Sequence, residues 1–255
     1  MKSYSIVLDV WEGQLEIDEA ALFAGGVVGL VIRLNDMNGG HHMDEGFEKQ
    51  WAEAASFLRW PYFVYNPWVS GAENYDWLAR HMPSDCPAVA LDIEVRKTGL
   101  APKEYGKQIG IFKNLVNQEW NTHNYTGEWF LDVLSPWPID DYWWAQYPFL
   151  MYPASVQRIS YEVLKAKLDM LVWPPMNSAK SSGKIRMWQC SGDRLILPGT
   201  TRAVDVNVFN GNVDELRTWL GYSPSGTPIN PPEPLTIEQR LTNIERVARE
   251  HGWSV

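Results

Sequence analysis

The strongest constraint on this chain is a rhythm. Through the first 120 residues, short apolar runs of β character alternate with segments of helical periodicity. Tyr4–Val10 reads as a strand, Asp18–Ala24 as a short helix, Val27–Leu34 as a second strand and Asp44–Phe57 as a helix. Tyr62–Tyr65, Ala72–His81, Ala88–Glu94 and Pro102–Trp120 continue the alternation. Pro102 suits a first helical turn, and Tyr105, Ile109, Phe112 and Val116 fall on one helical face. Regular alternation of this kind implies parallel strands joined by crossover helices, in a sheet that is open or closed into a barrel.

The second half is less regular. Asp141–Tyr147, Lys184–Cys190 and Arg202–Val208 read as strands, Asn121–Tyr125 as a strand of weak propensity, and Glu162–Met170 as a helix within a long connection. Val213–Leu220 is a closing helix that ends at Gly221. The expected fold class is α/β: an irregular TIM-like barrel with regular βα units in its first half, a strand-rich second half and a C-terminal helix. Residues 1–221 would form the barrel. Residues 222–234, with Pro224, Pro228, Pro231, Pro232 and Pro234, read as a semi-rigid linker. Residues 235–255 would form a short amphipathic helix, opened by a capping box of Thr236 and Gln239. Its apolar seam is Ile237, Leu241, Ile244, Ala248 and His251. A helix this short is marginal alone in water, so it needs the barrel or a second copy to pack on.

Composition narrows the ligands. A net charge of −9 argues against nucleic acid, whose affinity rests on Lys and Arg, and no basic run is dense enough for an anionic membrane surface. No segment approaches the ~20 apolar residues of a membrane span. The N-terminal apolar stretch is short and broken by Asp9, which is not the pattern of a signal peptide. The chain is therefore expected to be made in the cytoplasm and to leave, if it does, by another route. Core packing explains some of the fourteen Trp, and so many also suit a site that stacks on flat ligand faces. Trp11, Trp68, Trp129, Trp137, Trp143 and Trp144 are the candidates, with two or three expected in a groove. Cys86 and Cys190 lack ligand or redox spacing and read as buried free thiols. His41-His42 has no placed third ligand and reads as a solvated loop, so neither metal nor cofactor is expected.

Acidic residues carry the chemistry. In Ala88-Val89-Ala90-Leu91-Asp92-Ile93-Glu94, alternation sends Val89, Leu91 and Ile93 toward helices and Ala90, Asp92 and Glu94 into the barrel. Carboxylates are costly there unless paired or at work, and crowding separates their proton affinities. Asp9 closes the first strand, and Asp205 and Asn207 alternate with Val204, Val206 and Val208 on the last. First and last strands become neighbours when a barrel closes, so Asp9 and Asp205 are expected to flank each other beside Asp92 and Glu94. In such barrels the carboxyl ends of the strands form the active face.

These residues resemble the family 25 glycoside hydrolases, the muramidases, from about Tyr4 to Leu220. The family's opening Asp-Val, Gln and Ile-Asp match Asp9-Val10, Gln14 and Ile17-Asp18. Its Arg-bearing strand matches Val31-Ile32-Arg33, its Asp-x-x-Phe matches Asp44 and Phe47, and its Asp-x-Glu is Asp92-Ile93-Glu94. Trp143-Trp144-Ala145-Gln146-Tyr147, Trp188-Gln189 and Asp205-Val206-Asn207 follow in order. The resemblance implies a peptidoglycan hydrolase that cuts β-1,4 bonds between N-acetylmuramic acid and N-acetylglucosamine, acting as phage endolysin or autolysin. It implies Glu94 as general acid/base, Asp92 as the residue that orients the substrate's N-acetyl group, and Asp9 and Asp205 as electrostatic support. Arg33, Tyr65, Trp68, Tyr125, Tyr147, Gln189 and Asn207 would bind substrate. An endolysin would wait in the host cytoplasm for holin-type release.

The chain departs from the family pattern at Trp11, where Ser is usual, at Leu15, where Gly is usual, and at Phe63-Val64-Tyr65-Asn66-Pro67-Trp68. The connection from Met151 to Lys184 is longer than usual. Two other readings compete: a barrel that holds a glycan without cutting it, and a C-terminal helix that assembles several barrels into a homo-oligomer for avidity.

Overall fold

A computed structural model describes residues 4–14, 16–37, 40–131, 141–174 and 184–223, with a few positions between 236 and 249. Eight strands close into a barrel: β1 (Ser5–Val10), β2 (Val27–Arg33), β5 (Leu58–Val64), β6 (Ala88–Asp92), β7 (Asn121–Gly127), β8 (Asp141–Ala145), β10 (Lys184–Ile196) and β11 (Val204–Phe209). The two-residue strands β3 (Asn35–Asp36) and β4 (His42–Met43) pair with each other, and β9 (Gln157–Arg158) adds to the end of β10. Around the barrel lie α1 (Glu19–Gly25), α2 (Phe47–Glu53), α3 (Gly71–His81), α4 (Pro102–Val116), α5 (Glu128–Leu131), α6 (Tyr161–Asp169) and α7 (Val213–Trp219).

The first seven barrel strands run parallel, but β11 is antiparallel to both β10 and β1. The parallel order expected of the regular first half thus continues through β10, and the irregularity of the second half includes a reversed last strand. Because β10 extends to Ile196, the connection 197–203 is too short for a helical crossover, which takes a dozen or so residues. A turn at Gly199, in the left-handed region, reverses the chain instead. Asp205 therefore lies at the beginning of its strand, not its end. Reversal brings it to the same rim, paired directly with Asp9.

Alternation builds two apolar layers. Leu8, Ile32, Phe63, Leu91, Trp144, Trp188 and Val206 face the helices. Val7, Val31, Trp60, Ala88, Ala90, Trp143, Met187 and Phe209 fill the barrel interior. Ala88 and Ala90 leave room for the indoles of Trp60 and Trp143, a large-and-small match that makes the interior a packed core. Helix ends follow local chemistry: Asp18 caps α1 through Ala21 N–H, and Ser70 with Glu73 forms a reciprocal capping box on α3.

Several boundaries differ from expectation. The strand expected at Tyr62 begins at Leu58, because Pro61, a poor strand residue by propensity, is accommodated opposite Ile32. The helix expected from Asp44 begins at Phe47, since the Asp44 side chain is taken up by Arg33 and by the Gly46 amide. Tyr222, expected to open the linker, is buried and donates its hydroxyl to Arg59 O. The reciprocal bonds of Thr236 and Gln239 form as expected. Residues 224–235 and the seam Ile237, Leu241, Ile244, Ala248 and His251 lie outside the described residues, as do Leu15 and Trp137. Among the described residues no helix is long and apolar enough to cross a membrane.

Candidate active site

Closure gathers the acids predicted from sequence at the carboxyl rim. Asp9 points inward from β1, Asp92 ends β6, Glu94 follows it by two residues, and Asp205 faces Asp9 across the β1–β11 pair. Asp9 and Asp92 are only 4% and 6% exposed, while Glu94 is half-buried.

Two buried amides hold the Asp9–Asp205 side. Gln189 Nε2 donates to both Asp9 Oδ2 and Asp205 Oδ2, each at 3.1 Å, while its Oε1 accepts from the Tyr125 hydroxyl at 2.8 Å and the Tyr147 hydroxyl at 2.5 Å. Asn207 Nδ2 donates to Asp9 Oδ2 at 2.7 Å and to Val7 O at 3.3 Å, and its Oδ1 accepts from Trp143 Nε1 at 2.7 Å. These amides have their donors and acceptors engaged by the protein, the arrangement that makes a buried polar network rigid.

Electrostatics separates the four carboxyls. Burial raises the Asp9 carboxyl to about 6 despite the bonds from Asn207 and Gln189. Asp205 is pushed well above the usual carboxylate range by burial and by the charge of Asp9, and it shares a hydrogen bond with Asp9. Glu94 is raised to about 7 by burial and then by the charge of Asp9. Asp92 is raised by burial, Glu94 and Asp9, and Arg33 pulls the other way. Like charges in one low-dielectric pocket cannot all ionise, so the cluster retains protons at neutral pH. Asp92 has a buried Oδ1 with no hydrogen-bond partner among the described residues. A buried carboxylate oxygen left without a donor is costly unless a ligand supplies one.

The remaining predicted residues divide. Arg33 Nε binds Asp44 Oδ2 at 2.5 Å, its NH2 group reaches Glu12 at 3.2 Å, and its guanidinium lies 5.0 Å from the Trp11 ring centre. It is thus a fixed cation whose charge acts on Asp92. Tyr125 and Tyr147 reach the site through Gln189, and Tyr147 stacks on Tyr152. Gln189 and Asn207, both buried, stand behind the carboxylates and hold them. Tyr65 is a correction: it is 1% exposed and packs among Tyr105 and Phe112 on the helix side of the barrel. Alternation places Tyr62 inward from the same strand, against Trp143 and within the field of Asp9, Asp92 and Asp205. Counting in steps of two from Trp60 would have found it.

Trp68, 56% exposed, lines a cavity of about 520 Å³ with Met37, Gly40, Asn66 and Val69 beside the loop after β5. Trp129 is also exposed, whereas Trp143 and Trp144 are buried and cannot stack on a ligand. His41 is not in a solvated loop. Its ring bridges Asn35 and Asn74 and packs between Phe63 and Trp77, which ties the β3–β4 segment to α3. Both cysteines are buried and free, as expected. Among the described residues no group of three or more His, Cys, Asp or Glu is arranged to hold a metal ion.

A closed α/β barrel with its acids gathered at one rim is the architecture of many glycosidases, and the comparison with solved structures is more particular. The chain superposes on a family 25 glycosyl hydrolase from Bacillus anthracis with a TM-score of 0.63 at 17% identity, covering 85% of this chain and 93% of that one. It matches a bacterial lysozyme from Streptomyces coelicolor with a TM-score of 0.63 at 19% identity, over 86% and 98% of the two chains. A family GH25 lysozyme from Aspergillus fumigatus gives a TM-score of 0.61 at 16% identity over 86% and 99%. No sequence-family profile matches the chain, and neither does any curated protein sequence. The fold is that of the family 25 lysozyme structures, reached with fewer than one residue in five in common.

Proposed function

We propose that this protein is a muramidase, a peptidoglycan hydrolase that cuts the β-1,4 bond between N-acetylmuramic acid and N-acetylglucosamine. The observation that carries the reading is the contrast within the Asp92–Glu94 pair. Glu94 keeps a proton to about neutral pH and, among the described residues, is not tied by a hydrogen bond, which suits a general acid. Asp92 presents a buried oxygen that lacks a donor among the described residues. The acetamido N–H of an N-acetylated sugar is such a donor, and binding it would favour the ionised form of Asp92.

In this reading Glu94 delivers its proton to the glycosidic oxygen as the bond to the leaving sugar breaks. Asp92, charged and accepting the acetamido N–H, polarises the amide so that its carbonyl oxygen closes on the anomeric carbon from the opposite face. Water then opens that intermediate, returning its proton to Glu94, and the product retains the β configuration. The Asp9–Asp205 pair, held by Gln189 and Asn207 and sharing a proton, keeps a net negative charge that favours the developing positive charge. Trp68 and the cavity beside it offer a stacking face for a neighbouring sugar.

The test is release of reducing ends from purified peptidoglycan by the wild-type protein and by Glu94→Gln. The substitution is expected to lower the rate at least about 100-fold with the fold intact. Wild-type protein that binds walls but releases no reducing ends would instead establish a glycan-holding barrel. A first product of α configuration would replace the acetamido route by inversion through an activated water.

A further inference from the structure

The strand that carries Gln189 is irregular where it passes the acids. Ser191 pairs with Val206 and Leu195 pairs with Val204, so three residues of β10 oppose Asp205 alone. Within this bulge Asp193 is the one described non-glycine residue with a left-handed backbone, at φ 44. That conformation is uncommon outside glycine, although Asp and Asn tolerate it best, and it persists only when its surroundings impose it. Here they do. A Cβ on Gly192 would lie 3.1 Å from the Tyr147 ring, tight enough to require movement. Arg194 lies over the Tyr152 ring at 4.7 Å and donates to its hydroxyl at 3.2 Å. The Asp193 carboxylate accepts from Gln14 Nε2 at 3.2 Å, and that same amide nitrogen bonds Ala203 O at 2.7 Å.

The bulge has a clear consequence for the site. The Asp193 backbone N–H donates to Asp205 Oδ1 at 2.6 Å, while Gln189 serves Oδ2. We infer that Asp193 is a positioning residue: its left-handed backbone, anchored through Gln14, fixes the orientation of Asp205 and with it the Asp205–Asp9 pair. Bulges next to active sites commonly re-aim a group in this way. The inference rests on the muramidase reading for its effect on rate, but its structural half stands on the protein alone.

The side chain adds a second contribution. Its negative charge favours the proton held between Asp205 and Asp9. The other titratable groups facing Asp205 are Tyr62 and Tyr147, and Arg194 partly offsets Asp193 itself. Because Asp193 is exposed, this contribution is screened by salt.

Three variants separate the parts. Asp193→Ala disfavours the left-handed backbone and is expected to lower kcat about tenfold with KM little changed. Asp193→Gly restores access to that backbone and should recover most of the loss. Asp193→Asn keeps backbone and Gln14 contact but removes the charge. In carboxyl-resolved NMR titrations of the protein without substrate, it should move the Asp9–Asp205 proton loss to lower pH at low salt and not at high salt. Wild-type kcat in Asp193→Ala, or a loss that glycine fails to restore, would overturn the backbone role. An unmoved titration in Asp193→Asn would overturn the charge role. The backbone role can also be read without turnover: Asp193→Ala and Asp193→Gly are equally uncharged, yet the glycine variant should keep the N–H bond to Asp205 and titrate apart from the alanine variant, so failure of the muramidase assay would not be mistaken for either result.

Discussion

Glu94 is where the site's chemistry is most exposed to test. Its carboxyl titrates near 7 because burial penalises the anion and Asp9 repels it. A general acid must carry its proton, so kcat/KM should fall as pH rises through about 7 and stay low beyond it. A profile flat from about pH 5 to about pH 9 would remove Glu94 from that role. At this scale the sequence was a good guide. The Asp-x-Glu spacing on a strand, and the alternation around Asp9 and Asp205, place all four acids in the barrel. It was a poor guide to which tyrosine faces the pocket. Tyr65 and Tyr62 lie three residues apart on opposite faces, and the choice depends on where the strand begins, which Pro61 obscured.

Among the elements, the helices answer to local rules that can be checked one glycine at a time. Gly71 opens α3 where it crosses α4, and a Cβ there would sit 2.1 Å from the Gln108 carbonyl oxygen. Backbone cannot yield as a flexible side chain can, so Gly71→Ala should destabilise the fold by about 1–3 kcal/mol. Gly106, inside α4, would place a Cβ in open space. There alanine should stabilise by about 0.5–1 kcal/mol through helix propensity. Urea unfolding of both variants tests the pair, and equal effects would mean that the α3–α4 contact is looser than described. The capping box of Thr236 and Gln239 was legible because cap and partner lie within one turn. The bulge of β10 was not, since its geometry is dictated by Tyr147, Gln14 and Asp205, which come from other parts of the chain.

For the whole molecule, buried titratable groups pull stability in opposing directions with pH. Glu94 binds its proton more tightly folded than unfolded. Its contribution is complete below the unfolded carboxylate range and is lost as pH rises through about 7. His123, buried between Trp60 and Trp219 and lowered to about 3 by burial, behaves in the reverse sense: its contribution is present above the unfolded histidine value and is lost as pH falls. The net curve therefore hides each group, and a difference reveals one. Glu94→Gln removes the cost of ionising Glu94, so its melting temperature should gain on wild type between about pH 5 and about pH 8. A constant difference across that range would show that Glu94 is solvated in the folded state.

By itself, the order of apolar runs determined that this chain builds parallel βα units, and strand periodicity determined which residues turn inward, because both follow from spacing along the backbone. The acids could be named for the same reason. Only the tertiary structure decided that β11 runs against its neighbours, that Asp205 meets Asp9 from the start of its strand, and that Gln189, Asn207 and Asp193 set their orientation. Those outcomes depend on loop length against crossover geometry and on hydrogen bonds between residues up to about 200 positions apart, which no local pattern encodes.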